Sequence, residues 1–304
     1  MKTNVAASVR AQLRNLARTE SRPFQEVLQF YGLERFLVRL ARSRFRDRFV
    51  LKGALLLRVW DAPASRPTRD IDFLGRTENS VANLEEITRE ICAEAIDDDG
   101  IEFDPDSVVG ERIKEDADYE GVRIKFLGLL EKARVPMQLD IAFGDVVHPS
   151  VLEAPYPSLL GKKVGESEAT LLVYPRESVV AEKFQAMVFL GSINSRMKDF
   201  YDLWLLSRCF DFDGRSLANA IAATFDNRVT EIEVDPVALR SEFFDSPQTV
   251  RHWSTFRDRG LGQEAPESLR LVVEQIRTFL LPPAASLAKG MQFSLSWSAP
   301  GPWE

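Results

Sequence analysis

With 304 residues, 45% hydrophobic and 28% charged, the chain can bury a sizeable core in one or two domains, which argues against wholesale disorder. No stretch approaches the roughly 20 consecutive apolar residues of a membrane span, and the opening MKTNVAASVRAQLRNLARTE carries charges every few residues with no apolar secretory core. Two cysteines, Cys92 and Cys209, make no disulfide framework and fit a reducing cytoplasm, while two histidines, His148 and His252, disfavour a histidine-built zinc site.

The net charge of −7 is unevenly spread. Residues 1–60 hold 13 Lys and Arg against 4 Asp and Glu, a net +9, and residues 61–120 hold 6 against 19, a net −13. The basic end could attract a polyanion, or the two regions could be solvated faces that neutralise each other.

Taken in order, Val5, Val9, Leu13 and Leu16 predict a first helix over 5–18. A second amphipathic run over 23–44 starts with Pro23 in its first turn. Its arginines Arg35, Arg39 and Arg42, followed by Arg44, Arg46 and Arg48, are expected to lay their stems on apolar surface with wet heads. Residues 49–52 predict a short buried strand that turns at Gly53 into a helix, and 69–74 a strand ended by Gly75. A helix over 80–96 ends at Asp97-Asp98-Asp99-Gly100, and 101–143 reads as strands, clearest at 122–126 and 135–143. The stretch 144–174 reads as loop with short strands. Helical runs follow at 176–190, 196–209, 214–224 and 266–280. From Pro282 the Ser-, Ala- and Pro-rich end lacks any period and reads as a mobile tail. The expected organisation is N-terminal helices over 1–48, an α/β core over 49–174 whose strands 49–52, 69–74 and 135–143 share a sheet, a helical domain over 175–281, and a tail over 282–304.

The chemistry concentrates at Asp70-Ile71-Asp72. Residues two apart on a strand point the same way, so both carboxylates project together. Side by side they repel unless a cation intervenes, and Mg²⁺ takes such hard oxygen ligands. Solvated acids on an edge strand would show the same pattern. Lys52-Gly53-Ala54 adds a turn whose backbone can approach a ligand, or a glycine needed only for the turn itself; seventeen residues separate Gly53 from Asp70, enough for the two to lie on adjacent strands. Asp140, alone in the apolar Met137–Phe143, needs either a metal or a partner such as Arg123 or Lys125. In the helical half, Lys183 and the run Arg196 to Asp202 bring Lys198, Asp199 and Asp202 onto neighbouring helix positions. They suit a phosphate and ribose site, or simple surface ion pairs.

LKGALLLRVW, PTRDIDFLG, MQLDIAFGD, VVAEKFQAM and SRMKDFYDLWLL, in that order, resemble the nucleotidyltransferase toxins of the AbiEii/AbiGii family, type IV abortive-infection toxin–antitoxin proteins. The resemblance covers roughly residues 5–210. It implies an α+β, polymerase-β-like nucleotidyltransferase fold, a mixed sheet with flanking helices plus a helical C-terminal part. It also implies transfer of a nucleoside monophosphate from an NTP, with Mg²⁺ or Mn²⁺, to an acceptor, in characterised relatives a tRNA end, and an adjacently encoded antitoxin with a DNA-binding domain. By matching position, Gly53 belongs to the glycine motif, with Lys52 and Ala54 beside it at the nucleotide. Thr68, Arg69, Asp70 and Asp72 belong to the acidic motif, Lys183 is the lysine of the helical half, and Lys198, Asp199 and Asp202 form the final motif. Asp140 as third metal ligand follows by analogy with the wider superfamily. Where the family often has Gly or Ser after the glycine, this chain has Ala54, so a hydroxyl contact to phosphate is missing. Arg42, Arg44, Arg46 and Arg48 are the expected RNA contacts. An inactive nucleotide- or partner-binding module, and transfer to a protein or small-molecule hydroxyl, remain open alternatives.

Overall fold

The computed structural model describes residues 5–63, 66–115, 119–161, 169–258 and 264–304. The described residues fall into two compact units, one within 1–61, 67–144 and 152–173, the other within 62–66, 145–151 and 174–304.

The first unit runs α1 (Val5–Thr19), α2 (Phe24–Arg42), β1 (Phe49–Lys52), the single-turn α3 (Leu56–Val59), β2 (Ile71–Gly75), α4 (Val81–Cys92), β3 (Ile101–Glu115), β4 (Tyr119–Leu130), β5 (Ala133–Ala142), β6 (Leu152–Tyr156) and β7 (Ala169–Val173). Its strands form one seven-stranded sheet in the order β3-β4-β5-β2-β1-β7-β6. The sheet is mixed: β2 runs parallel to β5 and β1 parallel to β7, while the other neighbours are antiparallel. The strands expected to share a sheet are therefore its centre. Alternation sorts their side chains. Leu51, Ile71, Phe73, Ile124, Phe126, Leu139 and Ile141 are buried, while Lys52, Asp72, Arg123, Gln138 and Asp140 occupy the alternate positions.

Helix α2 packs on β5 and β7, with α1 and α4 against it. Every residue from Val27 to Leu40 is buried, as expected of a helix enclosed on all sides. The expectation of wet arginine heads fails here: Arg35 and Arg39 are 2% and 6% exposed. Arg39 donates to both carboxylate oxygens of Asp99, at 2.9 and 3.3 Å, and to the Ile101 carbonyl at 3.0 Å. Arg35 donates to Glu34 Oε1 at 2.6 Å, and Glu34 also accepts from the Leu159 backbone N–H at 2.7 Å. Burial pushes the Glu34 carboxyl up, against the pull of Arg35 and these hydrogen bonds. A buried charge persists only when paired, so Asp99, read from sequence as part of the turn that ends a helix, is an internal counterion.

The second unit comprises α5 (Arg176–Leu190), α6 (Met197–Cys209), β8 (Phe212–Asp213), α7 (Gly214–Asn227), α8 (Ser241–Phe244), α9 (Pro247–Asp258), α10 (Leu269–Ala288) and β9 (Ser296–Trp297). Its core joins Phe184 to Phe225 and Phe212 to Phe279. The reading of 282–304 as a mobile tail is overturned. Helix α10 continues through Pro282 and Pro283 to Ala288, and β9 pairs with β8. Trp297 is 1% exposed and donates to the Ser207 carbonyl at 2.7 Å, and Trp303 stacks on Phe279. Large aromatics spaced among small polar residues anchor this segment without any hydrophobic period. Helix α9 was missed for a related reason, since only Thr249 and Trp253 of it are buried.

Asp99→Asn should lower stability by about 3–5 kcal/mol, because it leaves Arg39 buried without its counterion; urea unfolding followed by circular dichroism measures the loss.

Candidate active site

The sheet register builds the site. Lys52 lies opposite Asp72, Asp72 opposite Asp140, Asp140 opposite Arg123, and Arg123 opposite Glu111. One row of side chains thus crosses β1, β2, β5, β4 and β3 with the charges +, −, −, +, −. Its only like-charged neighbours are Asp72 and Asp140, and like charges directly opposite destabilise a sheet. Asp70, just before β2, joins them: one oxygen from each of Asp70, Asp72 and Asp140 lies within 4.8 Å of the others. The sequence expectation that these three meet is met in the geometry.

Each carboxylate has its own support. Gly53 has φ +75°, and a Cβ there would stand 1.9 Å from Asp72 Oδ2. The glycine serves both the turn and the close approach of the Asp72 carboxylate to its backbone. The helix expected to follow is a 3₁₀ turn over Gly53–Leu55 and then the four residues of α3. Its dipole is correspondingly short, and Ala54 is buried. Thr68 is buried and gives its hydroxyl to Asp70 Oδ1 at 2.5 Å, while Arg69 stays exposed. Arg123 grips Asp140 with Nε on Oδ1 at 2.8 Å and Nη2 on Oδ2 at 2.7 Å. Gln138, two residues before Asp140 and on the same face, donates Nε2 to both oxygens at 3.2 Å. Both sequence alternatives for Asp140 therefore coexist: it stands with the other acids and has Arg123 as its partner. Hard oxygen donors in this number fit a divalent cation, which Asp70, Asp72 and Asp140 would hold.

Within the second unit, Lys183 on α5 meets Asp199 and Asp202 on α6. Its Nζ lies 2.7 Å from Asp199 Oδ1 and 2.8 Å from Asp202 Oδ2. Arg66 clasps Asp202 at 2.9 and 3.1 Å, and Arg196 Nε donates to Asp199 Oδ2 at 2.6 Å. Both carboxylates are 1% exposed, so the reading as surface ion pairs fails. Burial raises the Asp199 carboxyl, but Lys183, Arg196 and Lys198 outweigh it and hold it well below the ordinary carboxylate range. Burial likewise raises Asp202, which Arg66 and Lys183 pull below that range. Burial lowers the Lys183 ammonium and the two aspartates more than restore it. Lys198 is exposed. Arg66 was missed, since nothing in the chain links it to Asp202, 136 residues away; Gln138 was legible as the same-face neighbour of Asp140.

The basic stretch after α2 lies on the surface of the first unit. Arg44 donates to both Glu90 oxygens at 2.8 and 2.7 Å, and Arg46 to Glu153 at 2.9 Å. Arg48 is exposed with its guanidinium over the Phe45 ring, Arg42 is exposed too, and Arg46 is half-buried. The Arg44 pair realises the neutralisation between basic and acidic regions.

Gly53→Ala should cost about 2 kcal/mol or more, since the new methyl displaces Asp72 and the residue needs positive φ. Thermal melts should show the loss, and the Mn²⁺-induced rise in Tm should shrink with it.

The AbiEii model, described as a nucleotidyl transferase toxin of type IV toxin–antitoxin systems, matches residues 35–278. No curated protein matches the chain by sequence. Among solved structures, the nucleotidyltransferase toxin MenT4 of Mycobacterium tuberculosis H37Rv is similar with a TM-score of 0.52 and 16% identity over 89% of each chain. A nucleotidyltransferase from H. pylori gives 0.46 at 15% identity over 88% of this chain and 96% of that one, and JHP933 from Helicobacter pylori 0.47 at 15% over 87% and 97%. The mixed sheet with flanking helices is the fold shared with MenT4. The family implies an NTP substrate and an antitoxin partner, and among the described residues no helix is long and apolar enough to cross a membrane. With its model matched from the buried α2 to the end of the Val272–Ile276 core, the chain belongs to the AbiEii family of nucleotidyltransferase toxins.

Proposed function

We propose that the chain transfers a nucleoside monophosphate from an NTP to the 3′ end of a tRNA in the cytoplasm and so blocks translation, using Mg²⁺ or Mn²⁺. The observation that carries this reading is the meeting of Asp70, Asp72 and Asp140 at one point of the sheet. A divalent ion held there supplies charge neutralisation for the triphosphate and for the departing pyrophosphate. The protein's own contribution is placement. Thr68 fixes the Asp70 carboxylate, Gly53 makes room for Asp72, and Lys52 sits opposite Asp72. Lys183 is the cation assigned to the triphosphate. An ammonium has three donors, and Asp199 and Asp202 accept two of them. Lys198 and Arg69, both exposed, are assigned to the nucleotide. The acceptor is assigned to Arg42, Arg44, Arg46 and Arg48, since exposed ion pairs are worth little and yield readily to RNA phosphates. An antitoxin with a DNA-binding domain is the proposed partner.

Purified protein incubated with Mg²⁺, each labelled NTP and total tRNA tests this. Label on tRNA is the expected result. Label on the protein instead would favour a protein hydroxyl as acceptor, and nucleotide binding with no transfer would favour an inactive module.

Asp70→Asn should abolish transfer with the fold intact, because it removes a metal ligand at constant volume; near-wild-type transfer by a folded variant would exclude this metal assignment. Changing Arg44 and Arg46 together to Gln should flatten the salt dependence of RNA binding, at about 0.7 per lost phosphate contact on a single strand, and leave NTP binding unchanged. An unchanged slope with a lower Tm would instead assign those arginines to Glu90 and Glu153 alone.

A further inference from the structure

The third carboxylate is held in a two-pronged grip. An ionised carboxylate offers about four acceptor positions. Arg123 takes one on each oxygen of Asp140 through a two-pronged grip, the strong form of a charge-assisted pair. Gln138 adds its amide across both oxygens. The guanidinium side chain is 31% exposed and the Asp140 side chain 9%, so the arginine reaches the acid from the open side of the sheet. Arg123 also stands opposite Glu111 on β3. Arg123 stands against the Asp140 charge on one flank of the triad, as Lys52 stands opposite Asp72 on the other.

We propose that Arg123 is a resident cation of the triad: the Arg123–Asp140 pair and a divalent ion on Asp140 exclude each other, so the nucleotide-free chain takes one divalent ion, on Asp70 and Asp72. A second ion enters only when Arg123 leaves Asp140. Arg123 is thus a positioning residue that sets metal loading, and Gln138 strengthens its hold by keeping the Asp140 carboxylate turned toward it. The inference rests on the metal reading of the triad given above.

The test is titration of Mn²⁺ into nucleotide-free full-length protein, wild type, Arg123→Gln and Arg123→Lys, by calorimetry and by electron paramagnetic resonance of free Mn²⁺. The wild type should take one ion. Arg123→Gln should take a second or bind the first about tenfold more tightly. Arg123→Lys restores a cation and should stay near wild type, an outcome that a merely structural role of the arginine does not produce. Melts in EDTA and in Mn²⁺ keep the test open to a weakened variant: Arg123→Gln should lose more Tm in EDTA than Arg123→Lys and regain it with Mn²⁺. Two ions on the wild type, or Arg123→Gln binding as wild type does, would overturn the inference while leaving the metal reading standing. No Mn²⁺ on any of the three proteins would overturn both.

Discussion

Two carboxylates stand opposite each other on parallel neighbours, Asp72 on β2 and Asp140 on β5, and much of the first unit answers to that repulsion. Like charges so placed cost stability unless something positive lies at hand. The sheet supplies Lys52 on one flank and Arg123 on the other. The hydrophobic face behind them holds the register, because a slip of β2 by one residue would turn Ile71 and Phe73 to the open face and Asp72 into the core. Burial of one face and the gathering of charge on the other are thus a single constraint.

A similar logic governs α2. A helix enclosed on every side still carries Glu34, Arg35 and Arg39, and each charge is paired within the unit by a neighbour or by Asp99 and the Leu159 amide. Such networks specify one arrangement of the parts they join. Here they tie α2 to the start of β3, through Asp99 and Ile101, and to the segment after β6, through Ser158 and Leu159.

Much of this was legible in the sequence. The period-2 apolar runs gave the central strands, and the spacing of Asp70 and Asp72 gave a common face for their side chains. The motif order gave the family and the fold. What escaped depends on contacts that no local pattern encodes. Asp99 reads as one of three turn acids until Arg39, sixty residues earlier, is seen beside it. Pro282 and Pro283 signal an end that α10 passes through, and Trp297 and Trp303 anchor a segment whose composition resembles a linker. The i, i+4 relation of Lys198 and Asp202 suggested a surface pair, whereas Asp202 turns inward to Arg66 and Lys183.

Strand β2 occupies the fourth place in the seven-stranded order, with β1 and β5 bonded to its two edges. Backbone amides so enclosed exchange with solvent only when the whole sheet opens, whereas edges such as β6 and the far end of β3 open locally. Asp72 and Asp140 therefore ride on the slowest-opening part of the unit. Hydrogen exchange should accordingly find the most protected amides at Ile71–Leu74, on the strand that carries Asp72.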